Sequence, residues 1–191
     1  GLAIAMLSKI VQEISRYHRF LIVSHVDPHG DTIGSSLGLA WALRSLGKDV
    51  VLACQDAVPD EIMFLPGVDA YGQQARGDVE AVIGVDASDL RRMGKVYDPQ
   101  TMKDLPLLVI DHHVTNDGYG TVNLVEEASS TAEIVLRVID ALGVSMDETI
   151  ATCLLTGIVT DTQGFRTSST TPDSLSAALR LVEAGAGLVE I

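Results

Sequence analysis

The chain has 191 residues, 47% hydrophobic and only 4% aromatic, enough for an aliphatic core in one large domain or slightly more. Its net charge of −13, from 26 acidic and 13 basic residues, excludes a chain-wide electrostatic grip on nucleic acid, so any phosphate must meet local positive charge or bound cations. No apolar run is long enough to span a bilayer, and Cys54 and Cys153 stand apart in apolar segments, which reads as a cytoplasmic protein without membrane contact, disulfide framework or thiolate zinc.

In chain order, Leu7, Ile10, Val11 and Ile14 recur at helical spacing and predict an amphipathic helix over 2–18, too broken by Lys9, Glu13 and Arg16 to span a membrane. RFLIVS (19–24) reads as a buried strand, and 31–46 as a helix closed by Gly47. DVVLACQ (49–55) is the next strand. The stretch 56–78, with Pro59, Pro66, Gly67, Gly72 and Gly77, reads as irregular. VEAVIGV (79–85), LPLLVI (105–110) and TVNLVE (121–126) predict three more strands, the last towards an edge. Helices are expected over 129–143, with Ser130 and Glu133 spaced for a capping box, over 147–162 and over 172–185. This alternation predicts an α/β fold: a doubly wound, mainly parallel five-stranded sheet with helices on both faces. The start at Gly1 and the final apolar stretch LVEI are read as signs of a piece of a longer protein.

The polar clusters begin where strands end. SHVDPHGD follows RFLIV, DASD follows VEAVIGV, and DHHVTND follows LPLLVI. Ligands of open parallel sheets bind beyond the carboxyl ends of the strands, so these distant segments are expected to converge. Four of the five histidines, His25, His29, His112 and His113, fall in two of the clusters. Imidazole and carboxylate without thiolate suit Mn, Fe or Zn. Gly30 and Gly34 are expected to allow tight backbone turns around His25, His29 and Asp31. Asp86, with two carboxylate oxygens, is placed to bridge two ions, which at about 3.5–4 Å apart clamp an in-line phosphoryl displacement. Asp31 also fits as the N-cap of its own helix.

H-x-x-P-x-G-D-x-x-G-S from His25, D-x-S-D-L-x-R from Asp86, V-I-D-H-H from Val109 and T-G-I-x-x-D-T-x-x-F from Thr156 occur in this order over residues 25–165. Together they resemble the DHH phosphoesterase superfamily in its N-terminal DHH domain, and within it the bacterial nanoRNase/pAp-phosphatase, RecJ-like group. The resemblance implies a hydrolase of short RNA or DNA oligonucleotides or nucleotide phosphates that uses a water activated by two divalent metals, manganese foremost and Fe, Zn or Mg as alternatives. It implies His25, His29 and Asp86 around one ion, and Asp31, Asp86, His112 and Asp161 around the other. His113 would face the scissile phosphate and Asp111 would orient a histidine. Ser35, Arg166 and the helix start at Ser130–Thr131 are weaker candidates for phosphate contact. A homodimer is one expected assembly, and a smaller glycine-rich domain that closes over the metals is expected outside residues 1–191. One position departs from the family pattern: His29 stands where Asp is usual, which lowers the negative charge around the metals. Other readings are a pyrophosphate, polyphosphate or cyclic-dinucleotide hydrolase of the same superfamily, or a non-catalytic nucleotide-binding module.

Overall fold

The aliphatic runs and the helical repeats between them pack into one α/β unit in the computed structural model, which describes residues 1–191. The elements are α1 (Leu2–Arg16), β1 (Arg19–Ser24), α2 (Gly30–Ser45), β2 (Asp49–Ala53), β3 (Ala81–Val85), β4 (Leu107–Asp111), β5 (Val122–Val125), α3 (Thr131–Ala141), α4 (Glu148–Asp161) and α5 (Pro172–Glu183). The stretch expected to be irregular carries two short 3-10 turns, Asp60–Ile62 and Val68–Ala70. A further 3-10 segment, Leu90–Val96, follows β3 and is broken at Gly94, whose φ is 69°.

All strand pairs are parallel, in the order β2-β1-β3-β4-β5, and β5 takes the expected edge. The order reverses between β1 and β3. The crevice opened there lies between the segments carrying His25 and Asp86, the position the strand-end rule assigns to a ligand.

Strand alternation sorts the core into two layers. Phe20, Ile22, Ile83, Ile110 and Leu124 face the layer built by the five α-helices. Leu21, Val23, Val82 and Val109 face the opposite layer, where Met93 and Val96 of the 3-10 segment complete a smaller cluster. Both faces are thus covered, but unequally. Each fully buried aliphatic side chain is worth about 1.5–3 kcal/mol of transfer free energy, so the helical layer dominates stability.

Helix starts follow local chemistry. Asp147 accepts the N–H of Ile150 at 2.8 Å, and Thr171 with Ser174 forms a capping box behind Pro172. The capping box expected at Ser130 is half formed. Ser130 Oγ accepts the N–H of Glu133 at 3.3 Å, but the Glu133 carboxylate turns to Ser129, whose hydroxyl donates to it at 2.6 Å.

Gly30 and Gly34 have roles other than those read from sequence. Both lie inside α2, and neither has a positive φ. With Gly38 they form a stripe along which α2 presses against α4. A Cβ on Gly30 would stand 2.5 Å from Thr160 Oγ1, and one on Gly34 would stand 2.4 Å from the Cys153 carbonyl oxygen. Gly157 answers from α4, where a Cβ would meet Asp31 Oδ1 at 2.8 Å. These glycines bring two helix backbones together, and with them Asp31 near the start of α2 and Asp161 at the end of α4.

Candidate metal centre

Asp31 is fully buried in the first turn of α2, yet the N-cap there is His29. The expectation that Asp31 caps its own helix gives way to a longer-range role. Its carboxylate accepts the N–H groups of Thr131 at 2.8 Å and Ala132 at 3.0 Å, so it caps α3, a hundred residues further along the chain. Thr131 Oγ1 donates to Asp86 Oδ1 at 2.8 Å. The start of α3, expected to meet phosphate, is thereby committed to two carboxylates of the centre, and Ser130 and Thr131 are both fully buried. Ser35 is likewise fully buried and donates its hydroxyl to Asp31 at 3.1 Å, which leaves no exposed atom for a substrate.

Asp86 sits just beyond β3 with φ 64°, a left-handed conformation that Asp tolerates better than most residues and that is often retained at functional sites. One of its oxygens faces His25 Nε2 at 3.4 Å and the other His112 Nε2 at 3.5 Å. His112 Nε2 also lies 3.0 Å from Asp161 Oδ2 and 3.7 Å from Asp31 Oδ2. The sheet and the α2–α4 crossing therefore bring His25, Asp31, Asp86, His112 and Asp161 together from five places in the chain. His113 stands beside them, with Nδ1 3.8 Å from Asp86 Oδ1.

The donor set fits divalent cations on its own chemistry. His25 Nδ1 lies 2.7 Å from the Val26 carbonyl, and His112 Nδ1 lies 3.0 Å from the Ala128 carbonyl. A carbonyl only accepts, so both Nδ1 atoms carry a proton, and each ring, when neutral as a metal ligand must be, turns an Nε2 lone pair towards carboxylate oxygens. Lone pairs facing buried carboxylates repel unless a cation stands between them. Asp31, His112 and Asp161 offer ligand atoms within 4.8 Å of one another, as do Asp86, His112 and His113. Imidazole and carboxylate suit Mn, Fe, Zn or Mg.

Without metal, the acids strain against one another. Burial, and then the charges of Asp86 and Asp161, hold the Asp31 carboxyl well above its usual range. Burial opposes a charge on His112, but the hydrogen bond to Asp161 and the charge of Asp86 outweigh it and carry this imidazole up to about 9. A raised histidine pKa stabilises the metal-free fold fully below about pH 6.5, the unfolded value, and that contribution is lost as pH rises through about 9. Ligation needs the neutral ring, so metal must displace this proton. Apparent Mn²⁺ affinity is expected to rise about tenfold per pH unit between pH 7 and 9 and then to flatten. Metal titrations at pH 7, 8 and 9 measure this; a pH-independent affinity would contradict the assignment of His112.

A second group of side chains borders these carboxylates and histidines. His113 Nδ1 donates to Asp111 Oδ1 at 2.6 Å, and this bond, with the carboxylate's charge, raises the imidazole's pKa. Burial alone would raise the Asp111 carboxyl, but hydrogen bonds from His113 and Asn116 bring it below its usual value. Asn116 Nδ2 donates to Asp111 Oδ2 at 2.8 Å. Sequence reading assigned Asn116 no role, although it lies in the quoted DHHVTND cluster and its amide is the kind of group that holds a carboxylate.

His29 is exposed, makes no cap hydrogen bond, and stacks edge-on to His25 with ring centroids 5.6 Å apart. It belongs to neither close group of ligand atoms. Arg166 is exposed, and its backbone N–H closes the turn after α4 on Thr162 O at 2.8 Å.

Residues 19–158 match the model of the DHH family, N-terminal domain. The bifunctional oligoribonuclease and PAP phosphatase NrnA of Thermus thermophilus is 36% identical over 177 residues, 89% of this chain and 51% of the relative. A probable manganese-dependent inorganic pyrophosphatase of Streptococcus agalactiae is 29% identical over 188 residues, 90% of this chain and 58% of the relative. Among solved structures, an exopolyphosphatase-related protein of Bacteroides fragilis superposes with a TM-score of 0.88 at 29% identity, covering 96% of this chain and 57% of the other. The chain spans about half the length of the curated relatives it matches.

Proposed function

The chain belongs to the DHH family, and on that premise we propose that it is the metal-binding part of a phosphoesterase that hydrolyses short oligonucleotides or nucleotide phosphates with two divalent ions, manganese foremost. The observation that carries this reading is the pair of histidine nitrogens, His25 Nε2 and His112 Nε2, aimed at opposite oxygens of Asp86. Asp86 is then the bridging ligand, with His25 and the neighbouring His29 on one side and Asp31, His112 and Asp161 on the other. Similarity to an oligoribonuclease and PAP phosphatase supports the substrate class, and similarity to a manganese-dependent pyrophosphatase supports the metal.

Bound ions would lower the pKa of a water and polarise the phosphoryl oxygens. The chain's own groups do the rest. His113, its Nδ1 fixed on Asp111, would use Nε2 to donate to charge developing on the phosphate. Its raised pKa keeps that donor protonated further towards neutral pH than a free histidine. Asn116 and Asp111 hold the ring in place, which removes a reorganisation step during the reaction. In this reading the surface that closes over the substrate comes from a further domain outside these 191 residues.

A screen of adenosine 3′,5′-bisphosphate, 5′-phosphorylated dinucleotides and pyrophosphate with Mn²⁺ tests the proposal. Release of nucleoside monophosphate supports it. Turnover of pyrophosphate alone would favour the pyrophosphatase reading, and metal binding by the full-length protein without any turnover would favour a nucleotide-binding module. His29→Asp adds a carboxylate beside His25 and is expected to tighten binding of the weaker Mn²⁺ by about tenfold, the scale of one well-placed charge. Unchanged affinity in a metal titration would remove residue 29 from the centre.

A further inference from the structure

The D-x-S-D-L-x-R segment contributes Asp86 to the centre, but its arginine has no part in the mechanism above. Arg92 is half-buried on the 3-10 segment that follows β3. The backbone around it is pinned to the rim of the site: its carbonyl accepts the N–H of Val26 at 2.7 Å, and the N–H of Lys95 donates to Gln55 Oε1 at 2.9 Å. Asp89 caps the segment by accepting the N–H of Arg92 at 3.1 Å.

The guanidinium is lightly held. Only Nη2 has a partner, the Val26 carbonyl at a long 3.4 Å; it also stands 3.3 Å from His25 Nδ1, whose proton is already given to that carbonyl and which therefore accepts nothing. The arginine ion pairs of this chain are made by Arg16, Arg19, Arg137 and Arg180. In an acidic protein, Arg92 therefore keeps its charge uncompensated, with Nη1 and Nε without partners, beside a site built for phosphate. Its distance from the carboxylates decides which phosphate it can serve. The His25 ring stands between them, Nδ1 towards Arg92 and Nε2 towards Asp86. A phosphate held against the carboxylate cluster by cations lies an imidazole's width away from the fork. A second phosphate on the same ligand, separated by a ribose, falls within reach.

We infer that Arg92 is the specificity-determining fork for a second, non-scissile phosphate, so that the site prefers nucleoside bisphosphates and 5′-phosphorylated oligonucleotides over ligands with one phosphate. The inference rests on the phosphoesterase reading for the chemistry of its ligand. Guanidinium supplies parallel N–H donors that match phosphate oxygens, and charge-assisted bidentate pairs are the strong ones. Arg91 and Lys95, both exposed on the same segment, add positive potential without a defined contact.

The test uses two ligands that cannot turn over: phosphonate analogues of adenosine 3′,5′-bisphosphate and of adenosine 3′-phosphate, with carbon in place of the scissile ester oxygen. Calorimetric titration of Mn²⁺-loaded wild-type protein should show the bisphosphate analogue binding about tenfold or more tightly than the other. Arg92→Gln should bring the ratio of dissociation constants close to one, with binding of the 3′-only analogue and of Mn²⁺ unchanged. Arg92→Lys, which keeps the charge but loses the fork, should retain part of the preference. A wild-type protein without preference overturns the inference, as does equal weakening of both analogues in Arg92→Gln. Weakened Mn²⁺ binding in that variant also overturns it, since Arg92 would then act through His25. Absence of turnover by the full-length protein with the preference intact would sink the phosphoesterase reading and leave this assignment standing.

Discussion

Asp86→Asn is expected to abolish paired Mn²⁺ binding and to lower phosphoester turnover by about a thousandfold or more, while leaving the metal-free fold as stable as before. The magnitude follows from what the side chain touches. Its two oxygens face Nε2 of both His25 and His112, so in the proposed centre one substitution weakens both halves. Loss of a single preorganised group that stabilises charge already costs about 10²–10³ in rate. Asparagine suits the test better than alanine, because it tolerates the positive φ at this position and can still accept the hydroxyl of Thr131. The stability effect separates this account from a structural one. Asp86 presses the buried Asp31 carboxyl upward and also supports the His112 imidazolium, so its neutralisation relieves a repulsion and loses an attraction in the metal-free protein. The metal-free melting temperature should change little, because the two effects offset, and the upward shift that Mn²⁺ gives the wild-type protein should vanish. A variant that melts early without metal, yet still gains stability from Mn²⁺, would make Asp86 a structural residue.

Gly34→Ala is expected to destabilise the protein by about 1–3 kcal/mol, the usual cost of overpacking, and to lower the melting temperature by about 2–4 °C for each of them. Two effects compete. Alanine is the better helix former by about 0.5–1 kcal/mol, which favours the variant. Against it, the new Cβ would stand 2.4 Å from the Cys153 carbonyl oxygen, an atom of the α4 backbone that cannot rotate away. Relief requires α2 and α4 to separate, which also pulls Asp31 from Asp161. Metal affinity should therefore fall together with stability. Gly38→Ala provides the control. Its Cβ would meet Leu154 Cδ2 at 2.7 Å, the end of a flexible side chain that can turn aside, so the net change should be small. Thermal melts of the two variants decide the matter; a Gly34→Ala protein at least as stable as wild type would refute the close-packing argument.

The fold was largely legible because periodicity and turn chemistry are local. RFLIVS and LPLLVI could only be buried strands, and the five-stranded parallel sheet follows from their alternation with helical repeats. Element ends moved by a few residues, as where the helix expected over 2–18 stops at Arg16. The meeting of His25, Asp31, Asp86 and His112 was also foreseeable, since strand ends in a parallel sheet converge at the switch in strand order. Contacts between distant segments were hidden. Nothing near Asp31 announces that it caps α3 through Thr131 and Ala132, because that partnership spans a hundred residues. Gly30 and Gly34 looked like turn residues until α4 lay against them, since a glycine stripe has meaning only with its partner helix present. The family resemblance makes Ser35 and the helix start at Ser130–Thr131 weaker candidates for phosphate contact, yet burial turns the Ser35 and Thr131 hydroxyls towards carboxylates. Asn116 was passed over because its loop follows no period that would aim the amide at Asp111.

The central claim is that Asp86 bridges two divalent ions. Anomalous diffraction at the manganese edge from crystals soaked in Mn²⁺ tests it most directly. The account predicts two peaks flanking the Asp86 carboxylate, one against His25 and one among Asp31, His112 and Asp161. A single peak away from Asp86, or none within reach of these side chains, would contradict it.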